Sequence, residues 1–262
     1  MKSWTLILCE GAHDQKFIAA LLKMCAGWHS ADGVPDSLPE PIAATYPKPK
    51  PTKSGGFRID NLPDFLCKDD RYVTVRNLGG VERVLGQIAI DFLETANPNG
   101  VGVFVDANDA GINRRVLSFR NRYRPLYAHA AETSAGRVSP GQPRIGLWVA
   151  PDNVNNGHLD ELVLTAARRS KRKRVERGER FITSIERAEP GQLTKHRTKA
   201  ILGAIAQVEV PGGSLAVAIE RAGGWLDPNM GRRAPFKSIV QFLEDLTSAA
   251  MGSSDQREGD RG

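Results

Sequence analysis

Glu10 and Asp14 are the first side chains along the chain that could do chemistry. They stand four residues apart in WTLILCEGAHDQKF, residues 4–17, where an apolar run ends in an acid and a glycine. A buried strand, a glycine turn and a helix would place Glu10 at the strand end and Asp14 one helical turn further on. Two later apolar runs also finish near acids. Residues 101–105 lead straight into Asp106, and residues 147–150 stop just short of Asp152. In an open parallel sheet, sites are built at the carboxyl ends of the strands. Carboxylates gathered there repel one another and lose hydration, which is unfavourable unless a cation neutralises them. Hard divalent cations, magnesium above all, take oxygen ligands and leave positions for water and phosphate. Glu10 and Asp106 are therefore expected to share a site for magnesium or manganese.

The stretch VFVDANDAG, residues 103–111, extends this pattern. Residues two apart in a loop leaving a strand can turn toward one centre, so Asp106 and Asn108 could both supply oxygens, with Asp109 as a substitute carboxylate. The same residues also suit an Asx turn that closes the strand by local hydrogen bonds. Both readings stand at this level.

The elements that must position these acids follow from periodicity. Residues 4–9, 72–75, 101–105 and 145–150 read as strands. Residues 14–24 read as a helix with Phe17, Ile18, Leu21 and Leu22 on its inner face. Gly79-Gly80 introduces another, carrying Val81, Val84, Leu85, Ile88 and Phe92 at helical spacing. Further helices are expected over residues 113–123, from about His158 ahead of the basic run, and over 194–207, 214–221 and 235–250. The fold class is then α/β: a mostly parallel central sheet of about four strands, helices on both faces, and additional C-terminal helices. Residues 1–190 form the catalytic domain, interrupted at about 30–58 by a proline- and lysine-rich insert expected to be extended and mobile. Residues 191–250 form a helical extension packed on the same domain, and the polar tail 251–262 is expected to be disordered.

Composition narrows the setting. A chain of 262 residues with 40% hydrophobic content can bury a full core. No apolar run approaches the roughly 20 residues needed to cross a bilayer, and residues 4–9 are too short for a signal peptide. Three cysteines without metal-ligand spacing fit a reduced, cytoplasmic compartment. The formal charge of +6 points toward an anionic partner, and the excess is concentrated in ARRSKRKRVERGER, residues 167–180. Arg168, Arg169, Lys171, Arg172, Lys173 and Arg174 could line a phosphate track, joined by Arg114 and Arg115 from the helix after Asp106. The same run also reads as an exposed helix partly neutralised by Glu176 and Glu179. The five histidines show no shared spacing.

The combination resembles the Toprim fold, the catalytic module of topoisomerases, bacterial primases, small maturation nucleases and overcoming-lysogenization-defect nucleases. Glu10-Gly11 matches its glutamate after the first strand. Asp106-Ala107-Asn108 matches its aspartate pair, with Asn in place of the second acid, and Asp14 matches a further acid of the nuclease branch. IGLWVAPDNVNNGHLDELV, residues 145–163, and TKAILGAIAQVEVPGGSLAVAIERAGGWLDPN, residues 198–229, look like a poorly characterised prokaryotic family of Toprim-like proteins.

The resemblance implies Mg2+-dependent cleavage of phosphodiester bonds in nucleic acid, as part of a defence or repair system. It implies Glu10 as general acid/base or metal ligand and Asp106 as the principal metal ligand, completed by Asn108 or Asp109. A second cation would fall to Asp14, Asp160 and Glu161, and Lys199, with Lys195 as its fallback, would stabilise charge developing on the phosphate. Asp160 and Glu161 also suit a simple helix N-terminus, where acids complement the dipole. The implied partners are nucleic acid, DNA ahead of RNA, and a second copy of the chain, with no membrane. No phosphate-binding glycine loop ending in Lys-Ser or Lys-Thr occurs, so any ATPase would be a separate subunit. The alternative from another class is a Toprim-like adaptor that binds without cutting.

Overall fold

The structure, a computed structural model, describes residues 3–31, 37–48, 50–51, 57–58, 62–191, 196–221 and 225–248. The expected disordered tail, Lys195 and part of the proline-rich insert lie outside these residues. The N-terminal half runs β1 (Ser3–Cys9), α1 (Ala12–Ala26), β2 (His29–Ser30), α2 (Glu40–Ala43), β3 (Lys50–Pro51), β4 (Phe57–Arg58), β5 (Asp64–Lys68) and β6 (Arg71–Asn77). Next come α3 (Val81–Val84), α4 (Gln87–Ala96), β7 (Gly100–Asp106), α5 (Ile112–Tyr123), β8 (Arg137–Ser139) and β9 (Arg144–Ala150). The remainder is helical: α6 (Leu159–Ser170), α7 (Arg172–Ala188), α8 (Arg197–Glu209), α9 (Leu215–Arg221) and α10 (Phe236–Thr247).

The expected sheet of about four mostly parallel strands is a mixed sheet of seven, ordered β2-β5-β6-β1-β7-β9-β8. Its centre, β6-β1-β7-β9, is parallel throughout, while β5 pairs antiparallel with β6 and β8 with β9. The short outer strands lack the continuous apolar run that a doubly covered central strand requires, so periodicity did not show them. β3 and β4 form a separate antiparallel pair.

Alternation along the strands divides the core. Ile7, Cys9, Phe104, Trp148 and Ala150 face one side, beneath α1 and the helices from α6 to α10. Leu6, Leu8, Val101, Val103, Val105, Leu147 and Val149 face the other, against residues of α2 to α5. Leu38 and Ile42, within the insert expected to be mobile, are buried in this second layer.

Glycines let α10 approach the sheet. A Cβ on Gly146 would lie 2.8 Å from the Phe242 ring, and Phe242 meets Phe104 edge-on with ring centres 5.5 Å apart. Gly146→Val therefore overpacks a filled aromatic cluster. We expect it to cost about 1–3 kcal/mol and to lower the Tm by several degrees in a calorimetric melt.

The helix expected from His158 ends at Ser170, and the basic run continues as a second helix, α7. The chain turns at Lys171 (φ −131°, ψ 35°), whose N–H still closes α6 on the Ala167 carbonyl. In a straight helix the buried residues of α6 and those of α7 (Val175, Gly178 and Ile182) would face directions about a third of a turn apart. The bend lets both faces be buried, and a Cβ on Gly178 would lie 3.4 Å from Ile205 of α8. The helix after Gly79-Gly80 is likewise interrupted, at Gly86 between α3 and α4.

Candidate functional site

β1 and β7 are adjacent and parallel, and the chain leaves them on opposite sides of the sheet, toward β6 and toward β9. The carboxyl ends of such a strand pair open a crevice. Glu10 follows β1 there, and Asp106 ends β7. The Glu10 Oε1 accepts a hydrogen bond from the Asp106 backbone N–H at 2.7 Å, so residues 96 positions apart meet directly. A cleft of about 300 Å³ opens beside them, lined by Glu10, Gly11, Ala12, His13, Asp14, Gly80, Asp106, Asp160 and Lys199.

Each acid is held by a backbone donor. Asp14 accepts from the Gly11 N–H at 2.8 Å at the start of α1. The Asp106 Oδ1 accepts from the Leu159 N–H at 2.8 Å, so this carboxylate of β7 caps the first turn of α6. Both contacts suit helix N-termini, whose free N–H groups and dipole favour negative charge. Glycine shapes the opposite wall: Gly79 and Gly80 donate to the Glu10 carbonyl, and Gly80 takes φ 126°, a conformation natural only to glycine.

Burial dominates the electrostatics. It raises Glu10 to about 7, opposed by the Asp106 N–H and reinforced by the Asp106 charge. Burial likewise pushes Asp14 and Asp106 upward, and the charges of neighbouring carboxylates add to both shifts. Basic side chains stand nearby without cancelling this. Lys199 Nζ lies 3.9 Å from Asp160 Oδ2, His158 Nδ1 lies 3.4 Å from Asp106 Oδ2, and Arg115 is bonded to the Asp106 carbonyl rather than its carboxylate.

A family model matches residues 5–248, nearly the whole length. The chain belongs to the DUF3226 family, described as "Protein of unknown function". Among solved structures, the crystal structure of a hypothetical protein from Pyrococcus horikoshii OT3 is similar. It is 18% identical, with 93% of this chain and 95% of that chain covered, at a TM-score of 0.51. At that identity the likeness speaks for the α/β fold alone. No curated protein matches.

In this DUF3226 chain the expected site residues divide sharply. Glu10, Asp14, Asp106, Asp160 and Lys199 come together in the cleft. Asn108, Asp109 and Glu161 do not line it. Asn108 takes a left-handed conformation (φ 49°), which asparagine tolerates well, and its N–H fixes the Gly157 carbonyl at 3.1 Å. The residue type is thus explained by the backbone of the turn. Asp109 is exposed, and Glu161 packs against Gly157 with burial raising its carboxyl. Asp152, at the third strand end, accepts from the N–H groups of Val154 and Asn155 in a local turn.

Many of the basic candidates have intramolecular partners. Arg168 pairs with Glu179, Arg172 with Glu176, and Lys171 and Arg174 both with Glu209. Arg169 donates to the Ala234 carbonyl and stacks over Phe236, and Arg115 supports Asp106. Arg114 and Lys173 are exposed.

Two histidines of this DUF3226 member were not picked out by spacing. His13 lines the cleft 3.8 Å from Asp160 Oδ1, and burial lowers its imidazole, with Lys199 acting in the same direction. His158 abuts Asp106. The available signal was position: His13 lies in the first turn of α1, and His158 immediately precedes α6.

Proposed function

We propose that the protein hydrolyses phosphodiester bonds in nucleic acid with the help of magnesium, using a Toprim-type arrangement of acids. The observation that carries this is the direct meeting of Glu10 and Asp106 at the carboxyl edge of adjacent parallel strands. Among the described residues no three His, Cys, Asp or Glu side chains gather closely enough to hold an ion by themselves. Magnesium does not need such a cage, because it is held by one or two carboxylates together with waters and substrate phosphates. Glu10 and Asp106 each commit one oxygen to a backbone N–H, leaving a second without a backbone partner. The donor set therefore fits a water-rich magnesium site held by Glu10 and Asp106, with Asp14 and Asp160 adding negative charge. When bound, the ion neutralises charge on phosphate oxygens.

The chain's own groups account for the remaining chemistry. Without a cation on it Glu10 is raised to about 7, which suits a general acid or base if Asp106 holds the ion without it. Lys199 stands across the cleft where its ammonium can donate to a phosphate oxygen. The first turns of α1 and α6 border the same space, and helix N-termini favour anions.

A second reading has one observation in its favour. Neither Asn108 nor Asp109 lines the cleft, so the acid pair of the Toprim pattern is represented here by Asp106 alone. That would suit an adaptor which binds nucleic acid without cutting it.

Incubating the protein with plasmid, single-stranded DNA and RNA, in magnesium or manganese and then in EDTA, separates the two. Cleavage that needs the metal and disappears in Glu10→Gln and Asp106→Asn supports hydrolysis. Salt-sensitive binding without cleavage, indifferent to those changes, supports the adaptor.

A further inference from the structure

The face of α7 turned away from the core carries Lys173, Arg177, Arg180, Ser184 and Arg187, all exposed. Their spacing of 4, 3, 4 and 3 residues keeps them on one stripe of the helix, about 21 Å long at 1.5 Å per residue. The four cations have no carboxylate partner among the described residues. Arg180 donates only to the Glu176 carbonyl, a backbone contact.

The acids of α7 are already neutralised. Glu176 pairs with Arg172 at 2.8 Å, Glu179 with Arg168 at 2.7 Å and Glu186 with Arg197 at 3.1 Å. Among the described residues the stripe thus holds its charge uncompensated. An open groove of about 890 Å³ runs beside it, lined by Glu176, Glu179, Arg180, Thr183, Ser184, Arg187 and Arg197. Arg197, at the start of α8, forms its far wall and is tied to Thr183 and Glu186. Two residues later on α8, Lys199 lines the cleft that holds Glu10 and Asp106.

We infer that the stripe and its groove bind one strand of a nucleic-acid backbone, outside the acidic cleft and separated from it by the first turn of α8. This rests on the phosphodiester reading and adds to it the course of the polymer. The reasons are charge and shape. A row of cations longer than any single phosphate group matches a repeating linear anion, and Thr183, whose hydroxyl oxygen accepts from Arg197, keeps its proton to donate to a phosphate oxygen. The neighbouring Arg168, Lys171, Arg172 and Arg174, by contrast, are paired with Glu179, Glu209 and Glu176.

The test is binding of a fluorescein-labelled oligothymidylate by anisotropy, in EDTA and in the Glu10→Gln background so that nothing is cut. Four phosphate contacts imply a salt dependence of log K on log salt with a slope of about −3 for a single strand. Arg177→Gln, Arg180→Gln and Arg187→Gln together should make that slope shallower by about 2 and weaken binding at least tenfold at low salt. Because these side chains are exposed, the melting temperature should not move. Should it move, Ser184→Glu places a negative charge mid-stripe and should weaken binding, while Ser184→Lys should tighten it. Unchanged affinity and slope in all these variants would overturn the inference. So would tighter binding of poly-glutamate than of the oligothymidylate, which would assign the stripe to an acidic protein. Failure of the magnesium-dependent cleavage assay would remove hydrolysis while leaving this binding result intact.

Discussion

Asp106→Asn is expected to reduce metal-dependent cleavage by at least a hundredfold while leaving the protein folded. The reason lies in what the amide keeps. The Asp106 Oδ1 accepts from the Leu159 N–H and caps α6, and an asparagine carbonyl oxygen can accept the same bond. What the amide lacks is the negative charge that would draw a divalent cation into the cleft. Glu10→Gln follows the same logic, because its amide oxygen can still accept from the Asp106 N–H. Whether Glu10 acts as a ligand or as a general acid or base, the amide cannot replace it, and lost general acid/base catalysis alone costs about 10²–10⁴-fold. Rates measured in magnesium, alongside thermal melts of each variant, check both statements. A large loss of rate with an unchanged melt is the expected pattern. Cleavage at wild-type rate in either variant would remove Glu10 and Asp106 from the chemistry.

The second large effect concerns pH. Glu10 ordinarily titrates at 4.5 and is raised to about 7 in the folded protein. Between those values the folded chain holds a proton that the unfolded chain has already released, so raising the pH through this window favours unfolding. In EDTA we expect stability to fall from pH 5 to pH 8, by about 2.5 kcal/mol from Glu10 alone. Asp14 and Asp106, both shifted upward by burial, act in the same direction. Saturating magnesium should flatten the slope, because a cation replaces the protons that quench the repulsion. Glu10→Gln should flatten part of it without metal. Denaturant titrations across this range, with and without magnesium, give the answer. Stability that rises with pH in EDTA would mean that the acids are not buried together as described.

The chain's own order of residues determined the strand-end acids and the elements that carry them. Apolar runs such as 4–9 and 101–105 can only be strands covered on both faces, and an acid placed directly after such a run must emerge at the sheet edge. Helical spacing likewise fixed α1, α5 and α10 to within a few residues. Three things were decided only by tertiary structure. Which acids meet was the first, because Glu10 and Asp106 are 96 residues apart while Asp109, a near neighbour of Asp106, turns outward. The left-handed turn at Asn108 was the second, since a residue type suited to ligation is equally suited to that backbone. The third was the fate of the basic run. Arg174 and Lys171 find Glu209, and Arg168 finds Glu179, only because the chain bends at Lys171 and folds α7 back onto α8. Local spacing governs which face of a helix or strand a side chain occupies, whereas charge pairing depends on distances between elements that no local pattern encodes.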